Sequence, residues 1–474
     1  MSKGLKILQI GLDNWSHQYE IPENMDWYFV CPRSSKALRK MIEIDTISRF
    51  QAVLIEDGNS LTDVLEFTNF FEPHGLFYNQ DFKTTDPLLL DILKKQCAQP
   101  VDFSDPQALL QDLSTSLFSG GYGDKLFPSN IQIHSSFEGS ISYQGLEHVM
   151  IEGDFGTNFH QLACWSHNFM VYKNLPIELW LEYEKQGNCE FRFIVRKIIE
   201  GNIDHFFEEE VYTEADLEKA IVIDSIDTNF LLFLSVEARG HGTIKLGNLH
   251  QRWSRKQFGK FVLGGNILHD SKRDEINYFF HPGDFKPPLA VYFSGYRPAE
   301  GFEGYFMMKT LGCPFILFSD PRLEGGAFYL GTDELEGKVK ETIAHYLDYL
   351  GFDRKDLILS GLSMGTFPAL YYGASFEPHA IIVGKPLANL GTIASRLDAP
   401  GVSNLAFDCL IHHTGGRSSQ DMTELDQRFW KIFKQANFSK TTFGLSYMKD
   451  EEMDPQAYEN LVTYLCNTGA KILS

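Results

Sequence analysis

Basic residues are in short supply in this chain. Its 42 lysines and arginines face 63 aspartates and glutamates across 474 residues, a formal charge of −21. A duplex-binding surface must neutralise phosphates with cations, so nucleic acid is excluded as the main partner, and tight adsorption to anionic lipid fails on the same charge argument. Long apolar runs are missing too: none approaches the ~18 residues that a membrane-crossing helix requires. The opening MSKGLKILQIGLDNW meets Asp13 before a secretory apolar region and cleavage site can form, so the expected location is the cytoplasm. Cysteine is sparse, with seven far apart and no C-x-x-C pair, which excludes a disulfide framework and a zinc knuckle and leaves reduced thiols. No His/Cys pattern has ligand spacing and no Asp-rich calcium loop is present, so no metal site is expected. Gly11 stands alone after the first apolar run without a G-x-G-x-x-G, so a nucleotide cradle is unsupported.

What the chain does have is apolar material, 43% hydrophobic and 14% aromatic, ample for packed cores in about three domains at the usual ~100 to 200 residues each. Residues 1–125 alternate short apolar runs (Lys6 to Ile10, Trp27 to Val30, Ala52 to Ile55, Gly75 to Tyr78) with segments of helical character such as Ser60 to Phe71, the pattern of a small α/β layer. From about 130 to 275 the period changes to two, in runs such as FMVYKNLPIELWLEYE, EFRFIVRKII and GKFVLGG separated by Gly, Asn and Asp, which predicts an antiparallel, jelly-roll-like sandwich. Trp165, Trp180, Trp253, Arg252 and Arg255 are candidates for a sugar-stacking surface. Burial in the sandwich core is the preferred reading, because aromatic rings carry large core payloads. Lys256, Lys260, Lys272 and Arg273 form a local basic group, read as a solvated face in preference to a contact with membrane machinery.

From 285 to 474, strands and helices alternate: PLAVYFSGYR, PFILFSD, a helix Asp333 to Leu350 with Leu335, Val339, Ile343 and Leu347 at helical spacing, then DLILSGLSMG, a helix over 366–374, AIIVG, TTFGLSYM, a helix Pro455 to Leu465 and AKIL. This predicts a parallel sheet in a βα series. Gly361-Leu362-Ser363-Met364-Gly365 follows an apolar strand and opens a helix, the setting of a nucleophile elbow, which makes Ser363 the candidate nucleophile. A tetrahedral intermediate needs two amide donors. One is assigned to Met364, and the second to the loop after the earlier strand, at Gly295 or Tyr296. The acid of a triad is expected after the strand Thr441 to Met448, where Asp450, Glu451, Glu452 and Asp454 cluster; nearness to the strand end favours Asp450. A solvated helix start is the alternative for that cluster. The base is the difficulty, because His379, His412 and His413 all precede the cluster, whereas the order Ser, acid, His requires one after it; His412 or His413 serves only through a rearranged order.

Together, KILQIGLDNW, GNLHQRWSRKQFGKFVLGG, VYFSGYR, GLSMG and YMKDEEMDP resemble the family of the second accessory secretory protein of the accessory Sec system of streptococci, staphylococci and relatives, over essentially the whole chain. The resemblance implies a C-terminal α/β-hydrolase-like domain (285–474), preceded by a β-sandwich (130–275) and a small α/β domain (1–125). It also implies a cytoplasmic factor that works with the first and third accessory secretory proteins and the accessory SecA ATPase to export serine-rich-repeat glycoprotein adhesins. The family O-acetylates N-acetylglucosamine on the adhesin, with Ser363 matching its catalytic serine and Glu452 its acid by spacing. No cofactor is expected to be tightly bound, and the donor is an acetyl donor of unspecified identity. The family's histidine falls a few residues after the last strand, where this sequence stops at Ser474; the expectation is a truncated version or a member without its base, and a weakly activated Ser363. Two alternatives stand beside this reading, a non-catalytic export scaffold and a cytosolic serine esterase.

Overall fold

The computed structural model describes residues 4–32, 34–56, 65–202, 205–396 and 405–474. The chain divides into two units: one is made of residues 1–120 and 255–265, the other of 121–254 and 266–474.

The first unit is built on five parallel strands, β1 (Leu5–Ile10), β2 (Met25–Val30), β3 (Ala52–Ile55), β4 (Leu76–Asn79) and β5 (Gln99–Val101), in the order β2-β1-β3-β4-β5. Helices α1 (Ser35–Ile44), α2 (Pro87–Lys95) and α3 (Pro106–Ser116) cover it. Alternate residues of each strand feed separate cores: Leu8, Val53 and Ile55 pack with Leu38, Ile42 and Leu89, and Ile7, Leu54 and Phe77 pack with Leu109, Leu110 and Leu113. Asp86 and Asp105 cap α2 and α3 through Leu88 N and Ala108 N, each with proline in the first turn. Of the expected helical segment Ser60 to Phe71, residues up to 64 lie outside the described residues; Leu65–Phe70 forms a 3-10 helix.

The run GKFVLGG is not a sandwich strand. Residues 255–265 belong to the first unit, where the Arg255 guanidinium donates to the carbonyls of Ser116 (2.8 Å), Phe118 (2.9 Å) and Gly120 (2.6 Å), and the Phe258 ring lies edge-on to Phe77 at 5.1 Å. An apolar run of this length carries no sign of which core it fills. Lys256 pairs with Asp112 in the same unit.

The second unit begins with an antiparallel ten-stranded sheet. Its spine is a hairpin of two very long strands, β6 (Ile177–Ile199) and β7 (Phe230–Trp253), paired from Ile177↔Trp253 to Ile199↔Phe230. Gly-containing segments that read as turns lie inside these strands. Gly187 sits opposite Gly242, and Cys189 opposite Gly240. Gly187 and Gly240 have φ of +90° and +88°, and a Cβ on Gly187 would stand 2.9 Å from the Gly242 Cα, so only glycine suits these places. Shorter strands pair along successive stretches of β7: Gly123–Leu126 with its end, His148–Asp154 with its middle, His160–Trp165 and Phe169–Val171 with its start. Trp165, Phe193, Phe230 and Leu249 fill the core between them.

The rest of the unit is an eight-stranded sheet. Its strands are β8 (Gly265–His269), β9 (Glu275–His281), β10 (Leu289–Phe293), β11 (Phe315–Ser319), β12 (Leu357–Leu362), β13 (Ala380–Gly384), β14 (Thr442–Ser446) and β15 (Lys471–Leu473), in the order β8-β9-β11-β10-β12-β13-β14-β15. All pairings from β11 onward are parallel, and β9 runs antiparallel to β11. LAVYF and FILFS are buried at every position, as central strands of a sheet covered on both faces must be. The connections carry α4 (Tyr305–Thr310), α5 (Asp333–Leu350), α6 (Thr366–Phe376), α7 (Leu390–Ser395), α8 (Leu405–Thr414), α9 (Ser419–Phe433) and α10 (Ala457–Leu465). α5 starts at Thr332, whose hydroxyl accepts from Leu335 N, has Asp333, Glu334 and Glu336 in its first turn, and stops at Gly351 with φ +74°. Buried Glu336 of α5 accepts from Tyr371 of α6 (2.9 Å) and Arg428 of α9 (2.6 Å), which ties three helices together.

Phe258→Ala is expected to lower the stability of the chain by about 3–5 kcal/mol, read as a shift in the urea midpoint, with amide-exchange protection falling in β4. A shift confined to β6 and β7 would contradict the placement of 255–265 in the first unit.

Candidate functional site

Four strand ends, those of β10, β12, β13 and β14, meet at the carboxyl edge of the parallel sheet, where open α/β sheets place their ligands. Ser363 occupies the step from β12 to α6 with φ +53°, a left-handed conformation that costs a non-glycine residue energy. The flanking glycines make that step possible. A Cβ on Gly361 would stand 2.0 Å from the Gly365 carbonyl oxygen, and one on Gly365 would stand 2.1 Å from that of Phe293. Strand, turn and helix therefore approach closer than any side chain allows. The Thr366 hydroxyl donates to Ser363 O (2.6 Å) and accepts from Leu387 N (3.0 Å), fixing the turn to the segment after β13. Met364 is buried, against Gly326. Among the described residues none hydrogen-bonds the Ser363 hydroxyl, which is half-buried.

Beside the turn, the loop that follows β10 is closely held. Ser294 donates its N–H (3.0 Å) and hydroxyl (2.8 Å) to Phe318 O and accepts from the Tyr329 hydroxyl (2.9 Å). Gly295 lies against the elbow, since a Cβ there would be 3.1 Å from Leu362 O, but its N–H is donated to Glu303 Oε2 at 2.8 Å. Tyr296 is exposed, with its phenol pushed up to about 12 by burial of the hydroxyl and a hydrogen bond to Glu324.

The acidic segment after β14 reaches the same edge. Asp450 and Glu452 are exposed, and the Glu452 carbonyl accepts from Arg396 (2.7 Å). Glu451 accepts from Met453 N (2.8 Å) and faces Lys385 at 3.5 Å, in a cleft of about 80 Å³ that Tyr447 and Tyr458 also line. Asp454 is structural: it is buried and accepts from Ala388 N and Asn389 N, each at 2.8 Å. Residues 385–389 thus link the elbow, through Thr366, to the acidic segment, through Asp454.

Sequence reasoning missed a buried polar seam between the antiparallel sheet and the parallel one. His412 Nε2 donates to Asp274 Oδ2 (2.9 Å), and its Nδ1 faces Glu147 (3.4 Å). Arg322 grips Asp320 (2.7 Å) and Asp274 (3.0 Å). Glu147, Asp274, Arg322 and His412 line a cavity of about 200 Å³. Burial opposes the charge on His412, but Asp274 and Glu147 hold it up at about 10; burial likewise works against Glu147, which hydrogen bonds from His148 and His412 hold down at about 2. His412 is committed to this seam and His413 to Ala327 O (2.9 Å), while His379 is exposed. Nearby, His250 of β7 bonds both Glu182 (2.9 Å) and Glu300, and Arg252 bonds Glu300 and Glu275, each at 2.6 Å. His250 is held up at about 9 by Glu300 and Glu182 against the effect of burial. Spacing gave no sign of the pairs that hold the seam together, such as His412 with Asp274 and His250 with Glu182 and Glu300, which join residues tens of positions or more apart.

No sugar-stacking surface forms from the tryptophans. Trp165 and Trp180 are core residues, Trp253 is half-buried against Tyr122, Arg252 is enclosed in its ion pairs and Arg255 in the first unit. Lys272 is exposed, whereas the Arg273 guanidinium packs 3.8 Å from the Trp180 ring. Among the described residues no group of three His, Cys, Asp or Glu could hold a metal ion, no disulfide forms, and no helix is long and apolar enough to cross a membrane.

The family model of the accessory Sec system GspB-transporter matches residues 5–474. The chain belongs to this family. It is 49% identical to the accessory Sec system protein of that family from Streptococcus gordonii, over all of this chain and 93% of the relative, and 37% identical to that of Staphylococcus aureus, over all of this chain and 92% of the relative. A solved chain of the Glycosylation Associate Protein (Gap123) complex from Streptococcus agalactiae superimposes on all of it with a TM-score of 0.95 at 37% identity, covering 93% of that chain. The resemblance read from the motifs is therefore a membership.

Because His412 and His250 hold their protons above the unfolded value near 6.5, each adds stability that is complete below about pH 6.5 and is lost as pH rises through about 9 to 10. Denaturant unfolding is expected to show that fall, and His412→Gln to flatten it. A His412→Gln curve parallel to the parent's between pH 7 and 10 would refute the assignment.

Proposed function

We propose that this chain is an export component of the accessory Sec system that also transfers acetyl groups to N-acetylglucosamine on a serine-rich-repeat adhesin, using Ser363. The observation that carries the reading is the placement of Ser363: φ +53°, between two glycines with no room for side chains, at the carboxyl edge of a parallel sheet. The strand order and the helix after the serine support an α/β-hydrolase-like reading of residues 285–474, with the antiparallel sheet as the sandwich and residues 1–125 as the small α/β domain.

In this mechanism Ser363 Oγ attacks the acetyl carbonyl of a donor, and the carbonyl oxygen takes the negative charge facing amides of Met364 and of the loop after β10. The serine proton passes to a histidine, which the family resemblance puts after β15 and which Glu452 or Asp450 orients. Collapse expels the donor's leaving group with that proton and leaves acetyl-Ser363. A sugar hydroxyl then attacks the ester carbon and gives up its proton to the same base; the ester bond to Ser363 Oγ breaks, the base returns the proton to that oxygen, and the sugar departs acetylated. This mechanism calls for an acetyl donor and for no tightly bound cofactor.

A second reading is favoured by the full-length likeness to a chain solved within a complex: the fold serves as an export scaffold that binds the first and third accessory secretory proteins, the accessory SecA ATPase and the adhesin in the cytoplasm. A plain cytosolic esterase leaves the first 280 residues without a task.

Residues 1–474 are expected to react slowly with a fluorophosphonate at Ser363 and not at all as Ser363→Ala, read by mass spectrometry of the labelled peptide. Equal labelling of both would remove the serine from the reaction. In cells, Ser363→Ala is expected to export adhesin with unacetylated glycan. Loss of export together with acetylation would tie the serine to transport.

A further inference from the structure

The loop between β10 and α4 has to supply the second amide to the oxyanion, and over residues 294–298, the stretch that leaves β10 beside the elbow, the backbone can be accounted for donor by donor. Ser294 N–H goes to Phe318 O, Gly295 N–H to Glu303 and Arg297 N–H to Gly325 O (3.3 Å), while Pro298 has none. Among the described residues the Tyr296 N–H has no acceptor, and it follows a residue whose Cα lies beside the Leu362 carbonyl, one position before Ser363.

The loop is tied at two further points. Glu303 accepts from Gly295 and donates its own N–H to the Ser294 hydroxyl (3.3 Å), so it closes the loop back on its first residues. Glu300, with a side chain 1% exposed, accepts from Arg252 Nε and His250 Nδ1 of β7, and its N–H goes to Gly123 O (3.0 Å). Arg297 spans the interval, donating to Ala299 O and Phe302 O, each at 3.0 Å. The antiparallel sheet therefore grips the middle of the loop through two buried carboxylate bonds, and the loop's end grips its beginning.

Building on the acyl-transfer reading of Ser363, we infer that Glu303 and Glu300 are positioning residues that hold the loop 294–304 so that the amide of Tyr296, and not that of Gly295, is the second donor to the oxyanion. Glu303 takes the Gly295 amide out of use and fixes the peptide plane that follows it. Glu300 makes the antiparallel sheet part of the acyl-transfer site, as the anchor of its oxyanion loop. Neither carboxylate touches the reacting atoms.

The test uses the full chain with Glu303→Ala, Glu303→Gln and Glu300→Gln, a fluorophosphonate, p-nitrophenyl acetate, and deuterium exchange of the peptides covering 294–304. Loss of one oxyanion donor lowers turnover roughly 10²–10³-fold in well-studied cases, so misplacing one by Glu303→Ala is expected to slow labelling of Ser363 and lower kcat at least about tenfold with KM unchanged. Glu303→Gln keeps an acceptor oxygen for the Gly295 amide and is expected to recover to within about threefold of the parent. Exchange over 294–304 is expected to rise in Glu303→Ala and in Glu300→Gln, at melting temperatures near that of the parent. Labelling of Glu303→Ala at the parent's rate, or faster, overturns the proposal; a faster rate shows that the carboxylate obstructs the site. Should Ser363→Ala label like the parent, the serine reading fails by itself, and unchanged exchange over 294–304 in Glu303→Ala then overturns the positioning role independently. If Glu300→Gln does not fold, the Glu303 pair decides.

Discussion

Between Gly365 and the carbonyl oxygen of Phe293 there is no room for a methyl group, and the arrangement of the candidate site depends on that close approach. It sets the start of α6 against the end of β10, and so puts Ser363 next to the loop that leaves β10. Thr366, one residue into the helix, then carries the constraint to the segment after β13, and Asp454 carries it on to the turn after β14. Strain at one residue is maintained because the surrounding hydrogen bonds leave the backbone no other course.

The second organising feature is ionic. Arg252, Glu300, Glu275 and His250 are nearly inaccessible, as are Arg322, Asp320 and Asp274. Taking such charges from water costs several kcal/mol per ion, and their mutual attraction offsets this only where geometry is good and the remaining hydrogen bonds are made. Asp320 meets that condition: besides Arg322 it accepts from Ala327 N and Tyr329 N. An apolar seam would join the two sheets of the second unit with less cost, but it would tolerate sliding. Fixed partners specify one register between β7 and the loop after β10, and we regard that specificity as the reason such a costly seam is kept.

Much of this was legible in the residues themselves. The helix over Asp333 to Leu350 matches its expected bounds, because apolar spacing, a Thr332 cap and a terminal glycine agree. The parallel strands were readable as short, mainly apolar runs, and the turn at Ser363 from its glycines. The long hairpin was not, since Gly187, Gly240 and Gly242 signal turns in sequence and yet sit within paired strands. The seam was not either. His250, Arg252, Glu300 and His412 are ordinary polar residues until folding brings them together, and no spacing rule links positions 147, 274 and 412. In the acidic cluster the sequence offered four carboxylates, with Asp450 favoured by position and Glu452 by resemblance; burial separates Asp454, a structural acceptor, from the exposed Asp450 and Glu452.

The first unit draws its last piece from far along the chain. Phe258 and Leu263 complete a core whose other members all precede residue 121, so 134 intervening residues (121 to 254) are made before it can close. During synthesis the five-stranded sheet emerges with an unfilled place beneath Phe77 and with the carbonyls of Ser116, Phe118 and Gly120 unserved by Arg255. At the usual pace of translation, ~5–20 residues per second, that interval lasts on the order of ten seconds, during which the amino-terminal unit is open to chaperones and proteases in a way the finished molecule is not.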